Sequence, residues 1–150
     1  MKPRLACLFL SGAALAAQAA GSYSVYENTR FDFSVEVPSI LEPQGESGNG
    51  DGQVFSSRNG DATAVVHGSR DGASCTALGM LADPAASTIT YRFAKGAASV
   101  VSGYQGGRIF YKKAIQKKDR CLMLDIEYDA GSRKVYDPVI VRMEKSFGSN

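Results

Sequence analysis

The sequence predicts an α+β fold, in which a single antiparallel sheet of about six or seven strands packs against a short central helix and a C-terminal helix. Two observations lead to this prediction. Short β-rich segments follow one another with gaps too short for the crossovers that parallel strands need. The last segment instead repeats its apolar residues at helical spacing. No internal linker is visible, so residues 20–150 are expected to form one α+β domain.

The residues before this domain match a cleavable secretory signal peptide, residues 1–19. Lys2 and Arg4 form its charged start, residues 5–17 are apolar, and Ala17-Gln18-Ala19 fits the small-x-small cleavage rule. The apolar run is too short for a stable membrane anchor. We therefore expect cleavage after Ala19, export to a bacterial periplasm, and no transmembrane segment in the mature chain.

Alternation of apolar and polar residues marks the strands. Residues 31–37 alternate without a break, and Pro38 ends that strand because proline donates no hydrogen bond to a neighbouring strand. Residues 39–52 are rich in proline, glycine and serine, which predicts a loop. Asn59-Gly60 separates two short strands and is typical of a tight hairpin turn. The expected strands are residues 31–37, 53–57, 61–67, 88–94, 99–104, 108–115 and 120–128.

Two segments are expected to be helical. Residues 70–86 are small and mixed in character, which favours a short helix followed by a turn. Near the C-terminus, Asp137 suits an N-cap and Pro138 suits the first helical turn. An apolar stripe follows at intervals of four residues and is expected to dock on the sheet; it comprises Val139, Met143 and Phe147.

Removal of the signal peptide leaves two of the three cysteines, Cys75 and Cys121. In an exported protein, such a pair most often forms a structural disulfide, and we expect one here. The alternative is a reactive thiol, which would favour a nearby imidazole. The only histidine of the chain is His67.

Charge argues against nucleic acid as a partner. Without Lys2 and Arg4, the mature chain has as many basic as acidic side chains, 15 of each. A neutral exported domain lacks the basic character that nucleic-acid binding requires. The charges are unevenly spread, because residues 20–90 contain three bases and nine acids whereas residues 91–150 contain twelve bases and six acids. Such asymmetry marks an interaction face unless strands from the two halves interleave and cancel it.

Four stretches resemble small exported proteobacterial proteins that are mostly uncharacterised: NTRFDFSVEVPSIL, NGDGQVFSSRNGDATAVVHG, VVSGYQGGRIFYKK and YDPVIVRMEKSF. The aromatic first strand, its proline stop, the late Tyr-Lys strand and the closing Ser-Phe helix are similar to the PsbP-like fold. That resemblance implies an antiparallel sheet with helices on its faces. It also implies a non-catalytic accessory or binding role, since this fold serves such proteins and some bacterial immunity proteins are thought to use related sheets.

One loop contains a partial calcium-binding pattern. An EF-type loop requires oxygen ligands at positions 1, 3 and 5, glycine at 6 and a bidentate Glu at 12. Ser47, Asn49, Asp51 and Gly52 match the first four positions, whereas position 12 is Arg58. The alternative is a glycine-rich turn that leads into a strand. We expect no cofactor, with calcium at Ser47, Asn49 and Asp51 as the alternative.

The residue types that support catalysis do not form a recognisable set. His67 is the only imidazole that could serve as a base, and no nucleophile-elbow motif accompanies it. Asp125 and Glu127 share one face of a strand, where they are expected to pair with Lys112 or Arg108 across the sheet. A cluster of basic residues around one turn either contacts an acidic partner or protects a sheet edge; it comprises Lys112, Lys113, Lys117, Lys118 and Arg120.

We therefore expect an exported, non-enzymatic binding protein that acts by protein–protein contact in the bacterial envelope, as an accessory factor or an inhibitor of the immunity type. The partner is expected to be an envelope or periplasmic protein that contacts Asn49, Asp51, Tyr104 and Arg108, because mobile polar loops and exposed aromatic or arginine side chains are typical of interfaces. The alternative function is a small-ligand or calcium-binding periplasmic module, with weak hydrolase activity as a variant of it.

Overall fold

Nine strands and one α-helix make up the part of the chain that the computed structural model describes, residues 21–70 and 75–148. The predicted signal peptide, residues 1–19, lies outside this part. The strands are β1 (Tyr23–Asn28), β2 (Phe33–Pro38), β3 (Leu41–Glu46), β4 (Gly52–Ser57), β5 (Ala62–Ser69), β6 (Ser87–Lys95), β7 (Ala98–Gln105), β8 (Arg108–Gln116) and β9 (Cys121–Asp129). The helix is α1 (Arg133–Ser146), and single 3-10 turns occupy Leu78–Met80 and Ala130–Ser132.

Seven strands form one sheet in the order β3-β4-β5-β9-β8-β7-β6, and every neighbouring pair is antiparallel. The expected antiparallel sheet with a C-terminal helix is thus confirmed. The expectation of a single sheet is wrong, because β1 and β2 form a separate hairpin. Phe33, Val35 and Val37 of β2 are buried in the same core as α1, so this strand lies on a face of the large sheet and not at its edge.

The core lies between α1, the β1–β2 hairpin and one face of the large sheet. The central strand β9 supplies its middle, since Leu122, Leu124 and Ile126 are completely buried there. Val139 and Met143 of α1 are completely buried as well and join the same cluster. The apolar stripe predicted for the C-terminal helix therefore docks on the sheet as expected.

The helix begins earlier than the sequence indicates, at Arg133, so Asp137 is not its N-cap and Pro138 lies inside it. Two structural facts account for this. The 3-10 turn at Ala130–Ser132 follows β9 directly and starts the helix. The Asp137 carboxylate is engaged elsewhere, because the Tyr128 hydroxyl donates to it at 2.6 Å.

The expected central helix is reduced to one 3-10 turn, Leu78–Met80. Part of its predicted range, residues 71–74, lies outside the described residues. The turn is held by the burial of Ala77 and Leu81 on either side of it and by a hydrogen bond from the Ala77 amide to the Ser99 hydroxyl at 2.8 Å. Burial of two apolar side chains and one hydrogen bond therefore hold this segment on the sheet without a full helix.

The tripeptide Asn-Gly-Asp occurs twice, and both copies form hairpin turns. The glycine adopts a left-handed conformation in each, with φ of 72° at Gly50 and 77° at Gly60. The Gly50 amide donates to the Ser47 carbonyl at 2.8 Å, and the Gly60 amide donates to the Ser57 carbonyl at 3.1 Å. The second turn was predicted. The first belongs to the β3–β4 hairpin, so the expected loop over residues 39–52 is wrong over Leu41–Glu46.

Asp61 of the second turn connects the sheet to the helix. Its carboxylate accepts hydrogen bonds from the hydroxyls of Tyr136 at 2.7 Å, Ser57 at 2.8 Å and Ser132 at 2.8 Å. Desolvation opposes ionisation of Asp61, but these hydrogen bonds outweigh it and lower the pKa of its carboxyl to about 2. The ionised carboxylate therefore holds the start of α1 against the β4–β5 turn.

The expected disulfide joins Cys75 to Cys121, with Cα atoms 5.4 Å apart. It fixes the segment before the Leu78–Met80 turn to the first residue of β9. A second apolar cluster surrounds it on the face of the sheet opposite α1; this cluster includes Ala77, Leu81, Val101, Phe110 and Ala114. The bridge thereby attaches an otherwise irregular segment to the centre of the sheet.

Replacing Asp61 with alanine is expected to lower the free energy of unfolding by about 2–3 kcal/mol at pH 7, since hydrogen bonds to a charged group contribute more than neutral ones. The folded-state pKa is depressed from 3.8, so this contribution is fully present above about pH 4 and is lost as the pH falls towards 2. Urea unfolding of wild type and Asp61→Ala at several pH values measures the difference. Asp119→Ala is the control, because the Asp119 side chain is exposed and should cost less than about 0.5 kcal/mol. Equal losses in both variants would refute the role given to Asp61.

Loss of the disulfide is expected to lower the free energy of unfolding by about 4 kcal/mol, because the bridge closes a loop with a sequence separation of 46 and so restricts the unfolded chain. The double substitution Cys75→Ser and Cys121→Ser tests this by urea unfolding against the oxidised protein. Chemically reduced wild type is the matched control and should behave like the double variant. A loss below about 1 kcal/mol contradicts the chain-entropy account.

Candidate functional site

The outer edge of the large sheet exposes two aromatic side chains next to each other on one strand. The strand β6 pairs with β7 along one side, and no described strand pairs with its other side. Alternation places Tyr91 and Phe93 on the same face of β6, opposite Ser102 and Val100 of β7. Their side chains are 54% and 42% exposed. A nine-residue edge strand thus presents both free backbone groups and two aromatic rings to solvent.

The exposure of these rings follows from the position of the helix. α1 packs mainly on β2 and β9, and it leaves Tyr91 and Phe93 of β6 exposed. Where the covered and uncovered regions meet, Tyr104, Tyr111, Arg133 and Ile140 line a shallow cavity of about 200 Å³. Arg133 donates to the Tyr104 hydroxyl at 3.3 Å, and burial raises the pKa of Tyr111. The outer surface, defined as Tyr91, Phe93, Lys95 and Tyr104, runs from this cavity to the free edge.

The three outer strands are basic. Residues 84–118, which include β6, β7 and β8, contain seven lysines and arginines and no aspartate or glutamate. Acids from other elements neutralise three of them, because Lys112 pairs with Asp125 and Glu127, Lys113 with Glu144, and Arg108 with Asp129. Within the described chain no acidic side chain forms an ion pair with the remaining four, Arg92, Lys95, Lys117 and Lys118. The interleaving of the two halves of the chain therefore cancels the charge asymmetry only in part.

Lys112 is buried in the middle of the sheet, with 3% of its surface exposed. Its ammonium group lies 2.5 Å from Asp125 and 3.1 Å from Glu127. Burial raises the pKa of the Asp125 carboxyl, although Lys112 favours its ionised form. The expected cross-strand pairing of these carboxylates is confirmed. The expectation that Lys112 and Lys113 protect an edge of the sheet is wrong, because β8 lies between β9 and β7 in its interior.

The four residues expected to contact a partner lie in three separate places. Asn49 and Asp51 belong to the β3–β4 turn at the opposite edge of the sheet from β6. Tyr104 lies on the helix-covered face beside β6, opposite Thr88. Arg108 lies on the other face, where it pairs with Asp129 at 2.8 Å. Of the four, Tyr104 alone belongs to the outer surface.

Sequence reasoning did not identify Tyr91 and Phe93. A signal was present, since both aromatic residues have the same parity in a strand and lie in a stretch without acids. Their exposure follows only from the strand order, which places β6 at an edge.

The oxygen atoms proposed for calcium serve the β3–β4 turn. The Ser47 hydroxyl accepts from the Gly52 amide at 3.0 Å, and the Asn49 side-chain amide donates to the Asp51 carboxylate. Arg30 also lies 3.3 Å from Asp51 and places a guanidinium where a cation would bind. Across residues 21–70 and 75–148, no group of three or more His, Cys, Asp or Glu side chains is arranged to hold a metal ion.

A cavity of about 670 Å³ lies between α1 and the β4–β5 turn. Ile40, Val135 and Tyr136 supply its apolar wall. Asp61 lines this cavity, and its carboxylate already accepts hydrogen bonds from three hydroxyl groups, two of which belong to Tyr136 and Ser132 at the start of α1. Arg58 and Glu42, which also line the cavity, pair with each other.

In the described part of the chain, no helix has the length and apolar character needed to cross a membrane. The helix α1 carries charged residues at Arg133, Lys134, Glu144 and Lys145, and it packs on the sheet through a single apolar stripe. This is the pattern of a helix that covers a sheet.

Two solved structures have similar folds. The solution structure of cyanobacterial PsbP (CyanoP) from Synechocystis sp. PCC 6803 matches with a TM-score of 0.63 and 12% sequence identity, over 95% of this chain and 98% of that chain. A protein from Bacteroides thetaiotaomicron VPI-5482 matches with a TM-score of 0.50 and 10% identity, over 87% of this chain and 49% of that chain. No family model and no curated protein matches the sequence. The chain thus has a PsbP-like fold.

Proposed function

We propose that this protein is an exported, non-enzymatic binding protein, which acts by protein–protein contact in the bacterial envelope as an accessory factor or an inhibitor of the immunity type. The single observation that carries the proposal is the free edge strand β6, with Tyr91 and Phe93 exposed on one face. Aromatic residues dominate binding energy at protein interfaces because they bury a large area at low entropic cost.

The form of this edge supports specific binding over indiscriminate pairing. Natural sheets protect long edges with charges, prolines or bulges. The pairing of β6 with β7 shifts between Ile89 and Tyr91, and Arg92 and Lys95 follow this irregularity. The bulge limits regular pairing with other chains, whereas the residues after it leave a short extended stretch with a defined pattern of rings and charges.

The charge of the outer strands favours an acidic partner. Arg92, Lys95, Lys117 and Lys118 have no acidic counterpart within the described chain. A complementary acidic surface would accelerate association and fix its orientation, since charges at the rim of an interface act mainly on the association rate.

Export rests on two features of the chain. The signal peptide is expected from residues 1–19. The disulfide between Cys75 and Cys121 belongs to an oxidising compartment, where such bonds persist. A periplasmic location is consistent with both.

Site-specific photocrosslinking tests the proposed surface. A photoreactive phenylalanine analogue at position 93 of the full chain, irradiated in intact cells of the source bacterium, is expected to give one discrete adduct with an acidic envelope protein. The same analogue at position 25 is the matched control, because Val25 is equally apolar and 59% exposed but lies on β1. Equal adducts from both positions, or none from position 93, would remove the support for this surface.

With the adduct identified and the partner purified, single substitutions measure the contributions of the rings and charges. Phe93→Ala is expected to weaken the affinity about tenfold or more, as for an interface aromatic residue. Lys95→Glu is expected to slow association and to reduce the dependence of the rate on salt. Lys134→Glu on α1 is the charge control, and it should leave the affinity, the association rate and the salt dependence of that rate unchanged.

A further inference from the structure

A cavity of about 320 Å³ lies on the face of the large sheet opposite α1, where the Leu78–Met80 turn crosses β5 and β9. The side chains that line it include His67, Met80, Met123 and Asp125, together with Cys121 of the disulfide. This cavity is separate from the outer surface described above. It brings the only histidine of the chain together with two of its four methionines.

The sheet register fixes three of these side chains. His67 of β5 lies directly opposite Met123 of β9, and Asp125 follows two residues later on the same face. Directly opposed Cβ atoms in antiparallel strands lie about 5 Å apart, and diagonal neighbours lie about 7 Å apart. The imidazole, the thioether and the carboxylate therefore project from adjoining positions of one surface.

The disulfide fixes the fourth side chain. Cys121 lies two residues before Met123 on β9, so the bridge holds Cys75 beside the cavity. Ala77 and Leu81 are buried on either side of the Leu78–Met80 turn. Met80 is consequently held above β9 and packs against the same cluster as Met123.

Two residues that line this cavity each have a buried polar atom without a hydrogen bond, His67 Nδ1 and Asp125 Oδ1. His67 also lines a second cavity, together with Asp51. The other Asp125 oxygen accepts from Lys112 at 2.5 Å. Buried polar atoms are rarely left unpaired, so a bound group in this cavity would supply a partner that these residues lack.

The ligand atoms of His67, Met80, Met123 and Asp125 indicate which metal ion the cavity would bind. Thioether sulfur is a soft ligand that favours Cu⁺, whereas Ca²⁺ and Mg²⁺ favour sets of oxygen ligands. Structural Zn²⁺ sites usually employ thiolates, and both mature cysteines are engaged in the disulfide. Imidazole binds copper as well, so one imidazole and two thioethers make a neutral set that fits a soft cation of low charge.

We propose that His67, Met80 and Met123 bind one Cu⁺ ion in this cavity, with the Asp125 carboxylate facing the positive charge. The site is independent of the outer surface and of the partner proposed for it. Methionine adapts its rotamer readily, so Met80 and Met123 can close on an ion from the walls of the cavity.

Anaerobic competition for Cu⁺ against a chromophoric chelator tests the proposal on the oxidised mature protein, after thiol titration has shown that the disulfide is intact. The expected result is one equivalent of tightly held Cu⁺. Because changes in outer-shell groups already weaken metal sites by 10–100-fold, loss of a direct ligand in Met123→Leu or Met80→Leu should lower the affinity by about 100-fold or more. X-ray absorption of the loaded protein should show both sulfur and nitrogen neighbours.

Met143→Leu is the matched control, because Met143 is fully buried in the main core and lies outside the cavity. Exchange of methionine for leucine conserves volume and typically costs less than about 1.5 kcal/mol, so all three variants should remain folded by circular dichroism. The proposal is overturned if the oxidised wild type holds no Cu⁺, if Met80→Leu and Met123→Leu bind it as well as Met143→Leu does, or if binding appears only after the disulfide is reduced to thiols.

Discussion

The structure depends on the two-sided character of β9. Leu122, Leu124 and Ile126 point to one face and are completely buried under α1, whereas Cys121 and Met123 point to the other. Because side chains alternate strictly along a strand, a shift of one residue would exchange the two sets. Both neighbours of β9 take their register from this strand, so it determines where the core, the disulfide and the open face of the sheet lie.

From this strand outward, the two halves of the sheet differ in how firmly they are held. On the β3–β5 side, the β1–β2 hairpin covers the core face, and Asp61 attaches the β4–β5 turn to the start of α1. On the β6–β8 side, the helix ends its coverage near Tyr104, and the outer strands are secured by the ladder and by ion pairs such as Lys113 with Glu144. The half that the hairpin and Asp61 attach to α1 thus supports a half with exposed apolar and basic groups, on which the proposed binding surface lies.

The sequence predicts well the strands and turns that depend on neighbouring residues. It predicts less well the structural features that depend on contacts between distant residues. Alternation locates β9, and the turn at Asn59-Gly60 follows from its glycine. The strand β3 escapes prediction because Pro43 and Gly45 disfavour a strand locally, and only pairing with β4 imposes the extended form. Asp137 resembles an N-cap, yet the Tyr128 hydroxyl, brought close by the fold, engages it. The candidate surfaces were missed for the same reason, since the exposure of β6 and the meeting of Met80 with Met123 both require the tertiary structure.

The disulfide links stability to the chemistry of the open face. By holding Cys75 against Cys121 it stabilises the chain, and it also places Met80 above His67 and Met123. Among the described residues it engages the two cysteines, so the cavity offers a metal the thioethers, the imidazole and the Asp125 carboxylate. The outer surface lies on the other side of the sheet and is held by backbone pairing to β7. A change in the redox state of the cysteines therefore acts on the cavity directly, and it reaches the outer strands through the contacts of the segment after Cys75 with Ser99 of β7 and Ile89 of β6.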